Sequence, residues 1–133
     1  MVIPMKIIKS IDEEKVREIS KIKNEPKWMT DFRVNSYNKF IELKNPTFGP
    51  MLPIDFDIIN YYKKMTDEVT DDWNNVSCDI RKTFDKIGLI ESEKKYLDGV
   101  GAQFESEVVY HNMIKELVDK NVIFCDTDTA LKE

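Results

Sequence analysis

The chain has 133 residues and a mass of 15.7 kDa, a length that suits one domain of the common size of roughly 100–150 residues and leaves no room for a second full one. Lys and Arg number 20 and Asp and Glu number 25, so the formal net charge is −5. Binding to nucleic-acid phosphates or to an anionic lipid surface needs a basic patch, which this balance argues against. The composition therefore predicts neither nucleic acid nor a membrane as a partner.

The cysteines and the first residues indicate the compartment. Cys78 and Cys125 lie far apart in the sequence, with no CxxC pair and no secretory signal. The apolar start, residues 1–8, is broken by Pro4 and Lys6 and is much shorter than the ~18 residues that a spanning helix needs. A disulfide framework is not expected, and the sequence predicts a reducing, cytoplasmic location.

Two helices are predicted in the first third of the chain. Ser10 and Glu13 have the spacing of a capping box, which begins a helix over residues 11–23 that carries only a thin apolar stripe. Pro26 suits the first turn of a second helix, over residues 26–43. The apolar and aromatic residues of that second helix recur at helical spacing and predict a face that packs into the protein. They are Trp28 or Met29, Phe32, Tyr37, and Phe40 or Ile41.

The segment after the second helix cannot continue it. Residues 44–53 contain three prolines and a glycine, and they predict an ordered loop pinned by Phe48 and Leu52. Residues 54–62 are dense in aromatic and branched side chains but fit neither the helix nor the strand period. They stay open between a strand and one helical turn.

A loop and two helices are predicted next. The acidic and polar residues 66–75 predict a mobile loop. Ser77 is the predicted cap of a third helix over residues 78–87, and Gly88 is its predicted left-handed terminus. Residues 91–97 predict a further short helix.

The last third predicts a small β-α-β element. Residues 103–111 are rich in β-branched and aromatic side chains and favour a strand, with a helix as the alternative. A helix over residues 112–120 and a buried strand over residues 122–125 complete the element. Residues 129–133 make barely one further helical turn, so we expect the sequence to be cut rather than finished. The predicted fold class is α+β, mainly helical.

One pair of residues could carry nucleophilic chemistry. His111 is the only histidine, which excludes a site with several histidine ligands. It could act as the base for a Cys125 nucleophile only if the two side chains were neighbours in the fold. The more common roles are a histidine packed at a strand end and a buried cysteine that acts as a small apolar residue.

Oxygen and sulfur ligands for a metal are also present near the end of the chain. Cys125, Asp126 and Asp128 lie within four residues, and the carboxylates of Glu105 and Glu107 precede them. One thiolate among carboxylates is a poor iron–sulfur site, because clusters are normally held by several cysteines. Capping of the following helix is the favoured role of Asp126 and Asp128.

The glycines at Gly99 and Gly101 have a weak likeness to a phosphate-binding loop. The full G-x-G-x-x-G pattern, a preceding strand and a Walker lysine are all missing. A helix terminus followed by a close-packed turn is the favoured explanation of both glycines.

One set of motifs runs through most of the chain. It comprises residues 24–29 (NEPKWM), 46–50 (PTFGP), 54–57 (IDFD), 99–112 (GVGAQFESEVVYHN) and 122–133 (VIFCDTDTALKE). Together these stretches resemble the amino-terminal region of the SufB family of iron–sulfur cluster assembly scaffolds. The resemblance covers nearly all of the chain from about residue 11, and the stretch from Gly99 to Asn112 is its most specific part.

The resemblance implies a part in iron–sulfur cluster assembly with a SufC-like ATPase and a SufD-like subunit, using sulfur from a cysteine desulfurase system. In the family, the right-handed β-helix and the carboxy-terminal helices carry the sulfur-accepting and cluster-associated residues and the ATPase docking surface. The sequence stops before those parts. No catalytic, cofactor-binding or metal-binding residue of the family therefore maps onto this chain.

We therefore predict an N-terminal helix over residues 1–24 and a SufB-like N-terminal domain over residues 25–133, truncated at its C-terminus and without the family's β-helix. The predicted function is a structural and interaction module of the scaffold. It is not an enzyme and holds no cofactor of its own, although the full-length family is associated with an iron–sulfur cluster. The resemblance implies that these partners bind mainly to regions of the family that lie outside this sequence. The alternative is an independent small metal- or thiol-using protein centred on Cys125 and His111.

Overall fold

The computed structural model describes residues 3–50, 52–88, 93 and 96–133. Within these residues the helices and strands are, in chain order, β1 (Lys6–Lys9), α1 (Glu13–Ile22), α2 (Lys27–Glu42), β2 (Asn60–Lys64), a 3₁₀ turn (Trp73–Asn75), α3 (Cys78–Ile87), β3 (Gly99–Phe104), β4 (Glu107–Met113), α4 (Lys115–Val118) and α5 (Thr127–Ala130). Strand β1 pairs with β2, and β3 pairs with β4. The short helix predicted over residues 91–97 lies mostly outside the described residues.

The chain divides into two compact units, and each is assembled from two separate stretches. The helical unit consists of Ile8–Tyr62 and Thr127–Glu133, and contains α1, α2 and α5. The hairpin unit consists of Met1–Ile7 and Lys63–Asp126, and contains α3, β3, β4 and α4.

Helix α1 is capped by Asp12 rather than by the predicted Ser10. The Asp12 backbone is extended, and its carboxylate accepts a hydrogen bond from the Lys15 backbone amide at 2.8 Å. This bond favours the charged carboxylate and so lowers the pKa of Asp12 from its ordinary value. Ser10 has a positive φ of 52° and instead accepts a hydrogen bond from the Lys15 ammonium at 2.6 Å. The predicted capping box of Ser10 and Glu13 is wrong because the helix starts at Glu13.

Helix α1 packs on α2 through small side chains. Val16 and Ser20 are the buried residues of α1, and Val34 is the buried residue of α2. The Ser20 hydroxyl lies 2.6 Å from the Thr30 hydroxyl, so the two helices meet through a hydrogen bond as well as apolar contact. Pro26 precedes the first residue of α2 with a φ of −65°, in agreement with the predicted helix start.

The segment between α2 and β2 differs from its prediction in one respect. The described part of residues 44–53 forms no helix, as its prolines predict. Phe48 and Leu52, however, are 85% and 70% exposed, so their predicted role as anchors is wrong. Residues 54–62, left open by the sequence, end in β2.

Trp73 lies in the core of the hairpin unit. It is 6% exposed, and its ring makes edge contacts with Phe84 and Tyr110 at centroid distances of 5.5 and 5.3 Å. Thr70 forms a bridge to Tyr110, which ties the backbone before Trp73 to β4. The prediction of a mobile loop over residues 66–75 is therefore wrong around Trp73. The buried residues of this core are Trp73, Val76, Ile80, Val100, Ala102, Val109 and Tyr110.

Helix α3 supplies one side of this core. Its bounds match the predicted residues 78–87, and Gly88 ends it with a φ of 70°, in the left-handed region that glycine adopts without strain. Ile80 is buried, whereas Ile87, near the end of the helix, is exposed. Ser77 occupies the cap position, but its side chain makes no capping hydrogen bond.

Strands β3 and β4 form an antiparallel hairpin in place of the predicted β-α-β element. The turn consists of Glu105 and Ser106, and Glu105 has a φ of 56°. Ala102 faces Tyr110, and the register shifts by one residue before Gln103. A two-residue turn can join only antiparallel strands, since a parallel pair needs a crossover of a dozen or more residues. The β-α-β prediction is wrong, because the turn interrupts its first strand, residues 103–111, and no strand forms over residues 122–125.

The residues after the hairpin carry less regular structure than predicted. The predicted helix over residues 112–120 shortens to α4, which buries none of its residues. The predicted strand over residues 122–125 does not form, and Ile123 is 86% exposed. The apolar run suggested a buried strand, but no neighbouring strand among the described residues pairs with it.

Helices and small antiparallel sheets thus occur together in the described residues. The absence of a β-helix and the division into residues 1–24 and 25–133 stay predictions.

Candidate functional site

The rings of His111 and Phe124 are in contact in the hairpin unit, and Phe124 directly precedes Cys125 in the sequence. Their ring centroids lie 4.8 Å apart with an angle of 35° between the ring planes. The Nε2 atom of His111 is buried and has no hydrogen-bond partner within the described part of the chain. Cys125 is half-buried and its thiol is free. The structure thus places His111 against Phe124, the residue that precedes Cys125 in the sequence.

The absence of a side chain at Gly99 leaves room for the Phe124 ring beside the hairpin. A Cβ atom on Gly99 would lie 3.0 Å from Cδ1 and 3.1 Å from Cε1 of Phe124. The same residue and Gly101 belong to strand β3, so neither lies at the predicted helix terminus, and neither begins a helix that could bind a phosphate. Gly99 allows close packing of β3 against the Phe124 ring, whereas a Cβ atom on Gly101 would lie at an ordinary 3.9 Å from His111 Cδ2.

The carboxylates predicted as possible metal ligands have other partners. Glu105 accepts a hydrogen bond from the Lys63 ammonium at 2.9 Å, and Asp128 forms an ion pair with Lys23. Asp128 lies in the first turn of α5 and not at a cap position. Within residues 3–50, 52–88, 93 and 96–133, no group of three or more His, Cys, Asp or Glu residues is arranged to hold a metal ion.

The helical unit contains a buried ion pair between Glu25 and Arg33. The Glu25 side chain is 1% exposed, and Arg33 donates to its two oxygens from Nε at 2.7 Å and from Nη2 at 2.5 Å. Burial alone would raise the pKa of Glu25. Hydrogen bonds from Arg33 and Ser20 and the charges of Arg33 and Lys23 outweigh burial and lower this pKa from its ordinary value. Glu25 is therefore held as a carboxylate.

A second ion pair ties the end of the chain to α1. Lys23, at the C-terminus of α1, pairs with Asp128 of α5, and both side chains are largely buried. The Lys23 ammonium also lies 5.8 Å from the centroid of the Tyr62 ring, within cation–π range. These contacts fix α5 in the helical unit and give its charges a structural role.

The aromatic residues of α2 differ in exposure: Tyr37 is half-buried, and Phe40, 42% exposed, makes an edge contact with Phe56 at a centroid distance of 5.2 Å. Trp28 and Phe32, one helical turn apart, are 60% and 61% exposed. Their predicted role as a packing face is wrong, because α2 meets α1 through the side of the helix that carries Thr30 and Val34. We call the exposed side of the helix the α2 outer face; its members are Trp28, Phe32, Asn35, Ser36 and Lys39.

The amino-acid sequence has close relatives along almost its full length. It is 51% identical over 126 residues to proteins of Staphylococcus aureus strains USA300 and N315, and 50% identical to one of Staphylococcus saprophyticus. Each is described as an iron–sulfur cluster assembly SufBD family protein. The matches cover 94% of this chain and 27% of each relative. The chain is therefore similar to one part of these SufBD family proteins. No protein-family profile and no solved structure matches it.

The SufBD relationship is coarser than the predicted SufB resemblance. The descriptions of the relatives name the family that combines SufB and SufD and do not single out SufB, and the chain spans about a quarter of the length of the curated SufBD relatives it matches. None of the described helices combines the length and the apolar character that crossing a membrane requires.

Proposed function

We propose that this chain is an N-terminal structural and interaction module of a SufB-like scaffold for iron–sulfur cluster assembly. The observation that supports it is 51% identity over 126 residues to relatives described as cluster assembly proteins. The module catalyses no reaction and holds no cofactor; cluster chemistry belongs to the other parts of the full-length scaffold.

The proposed partners are a SufC-like ATPase and a SufD-like subunit, met mainly through the rest of the full-length polypeptide. The setting is the cytoplasm. A net charge of −5 supports a role without nucleic acid or a lipid surface, because both are anionic.

A segment exchange tests this proposal. In the full-length relative of S. aureus USA300, this chain replaces the matched 126 residues. Because half of the matched positions are identical, we expect the chimera to restore the activities of iron–sulfur enzymes in a strain depleted of the relative. The relative without the matched segment is the control and restores nothing. A stably expressed chimera that also restores nothing contradicts the proposal.

The alternative function, a thiol- or metal-using protein centred on Cys125 and His111, has one observation in its favour. The contact between the rings of His111 and Phe124 brings the histidine to the residue that precedes Cys125 in the sequence. One histidine and two cysteines, however, fall short of the usual four protein ligands of a cluster, unless a symmetric dimer pools them.

Anaerobic reconstitution with iron and sulfide separates the two functions. We expect the wild type, Cys125→Ser and the matched control Cys78→Ser to stay colourless, with no stoichiometric iron or sulfide bound. Visible absorption and metal analysis provide the measurement. A stoichiometric cluster in the wild type and in Cys78→Ser that is lost in Cys125→Ser would establish Cys125 as a ligand and overturn this expectation.

A further inference from the structure

The helical unit exposes more large apolar side chains than it buries. Its buried hydrophobic residues in the described part of the chain are Ile8, Val16, Val34 and Tyr62. Large hydrophobic residues that stay exposed follow one another from α2 to the segment before β2. They are Trp28, Phe32, Phe40, Ile41, Leu43, Phe48, Leu52, Ile54 and Ile58.

The α2 outer face is the most regular part of this exposed set. Trp28 and Phe32 lie four residues apart on one side of a 16-residue helix, so their rings project next to each other. Tryptophan is enriched at the energetic centres of interfaces, and neighbouring exposed aromatic residues are uncommon on a surface that stays in water.

Polar residues border these two rings. Lys27 and Asp31 form an ion pair at 2.6 Å beside them, and Asn35 and Ser36 continue the face by one further turn. Lys39 is exposed and has no ion-pair partner within the described residues. An aromatic centre with a polar rim is the usual composition of a protein interface. A surface that complements this face would be apolar and would carry a carboxylate opposite Lys39.

The length of the SufBD relatives indicates what covers this face. The chain spans 27% of each relative, so nearly three quarters of such a polypeptide is covalently attached to the matched segment. Attachment gives the remainder a millimolar effective concentration near α2, whereas a separate protein depends on its cellular concentration.

We propose that the α2 outer face docks against the remainder of the SufBD-type polypeptide, through Trp28 and Phe32. This inference rests on the proposed function and names the contact that joins the module to its scaffold. The occupant is an apolar surface of the same polypeptide, and it covers both rings in the full-length protein.

Hydroxyl-radical footprinting of the isolated chain and of the full-length chimera tests the docking. Trp28 and Phe32 should react readily in the isolated chain and fall to the level of Trp73 in the chimera. Trp73 is the internal control, because it is buried in the core of the hairpin unit. The chimera with Trp28→Ser and Phe32→Ser should be cleaved faster by a protease than the unchanged chimera. Phe48→Ser, which replaces an exposed aromatic outside α2, should leave the cleavage rate unchanged.

Several results would overturn the docking. Equal reactivity of Trp28 in the chain and the chimera leaves the face uncovered. Protection that already appears in the isolated chain and rises with its concentration assigns the face to a second copy. Protection of the chimera only after addition of a SufC-like ATPase assigns it to that partner. A chimera that restores iron–sulfur enzymes while Trp28 stays reactive overturns the docking alone, whereas protection without restored enzymes counts against the proposed function alone.

Discussion

Replacement of Trp73 by alanine is expected to lower the free energy of unfolding by about 3–5 kcal/mol. The substitution removes a buried indole that contacts Phe84 and Tyr110, and it leaves a cavity between α3 and the hairpin. A loss of this size is a large fraction of the stability of a typical small domain. Urea unfolding followed by far-ultraviolet circular dichroism measures the change.

Trp28→Ala is the matched control for this experiment. It removes the same side chain from the α2 outer face, where 60% of the residue is exposed. The unfolding free energy should then change by about 0.5 kcal/mol or less. Equal losses in the two variants would contradict the burial of Trp73 in a core.

Glu25→Gln is expected to destabilise the protein by roughly 2 kcal/mol at pH 7. Loss of one member of a buried ion pair typically costs about 3–5 kcal/mol. The smaller value applies because the Arg33 side chain is 36% exposed and water can solvate part of its charge. Urea unfolding of both proteins at neutral pH provides the comparison.

The difference between the wild type and Glu25→Gln should depend on pH. The folded state lowers the pKa of Glu25 below the ordinary value of 4.5. Its contribution to stability is therefore complete above pH 4.5 and is lost as the pH falls through the lowered folded value. Glu13→Gln is the control, because its ion pair with Arg17 is exposed, and it should change stability by about 0.5 kcal/mol or less. A Glu25→Gln difference that stays constant from pH 7 to pH 3 would contradict this role.

The local sequence signals placed α1, α2 and α3 to within two residues. Pro26 fixes the start of α2 because its ring sets φ at a helical value and its missing amide proton costs nothing there. Gly88 ends α3 because glycine adopts a positive φ without strain. Each of these signals acts within one turn of the chain, so no tertiary contact is needed to detect it.

The direction of packing could not be predicted from the same signals. Helical spacing predicts that Trp28 and Phe32 share a face, but it does not say whether that face meets α1 or water. The small residues Ser20 and Thr30 decide this, because they let α1 and α2 approach closely enough for a hydrogen bond. The partnership of Glu25 with Arg33 spans eight residues and a helix start, a separation without a sequence rule.

The hairpin was missed because its turn lacks the usual residues. Two-residue turns favour Asn-Gly or a related pair, since positive φ values are needed there. Here Glu105 takes the positive φ, and the Ser106 hydroxyl accepts a hydrogen bond from the Lys63 backbone amide at 2.9 Å. The contact between His111 and Phe124 was also missed, because it depends on the space that Gly99 of β3 leaves for the Phe124 ring.

The interleaved connectivity of the two units affects the order in which the chain can fold during synthesis. Lys23 leaves the ribosome 105 residues before its partner Asp128. At about 5–20 residues per second, that interval lasts roughly 5–20 s. During this time α1 and α2 can associate, and the whole of Lys63–Asp126 is synthesised before α5 completes the helical unit. The hairpin unit, whose last residue precedes α5, is therefore the first that can be complete on a growing chain.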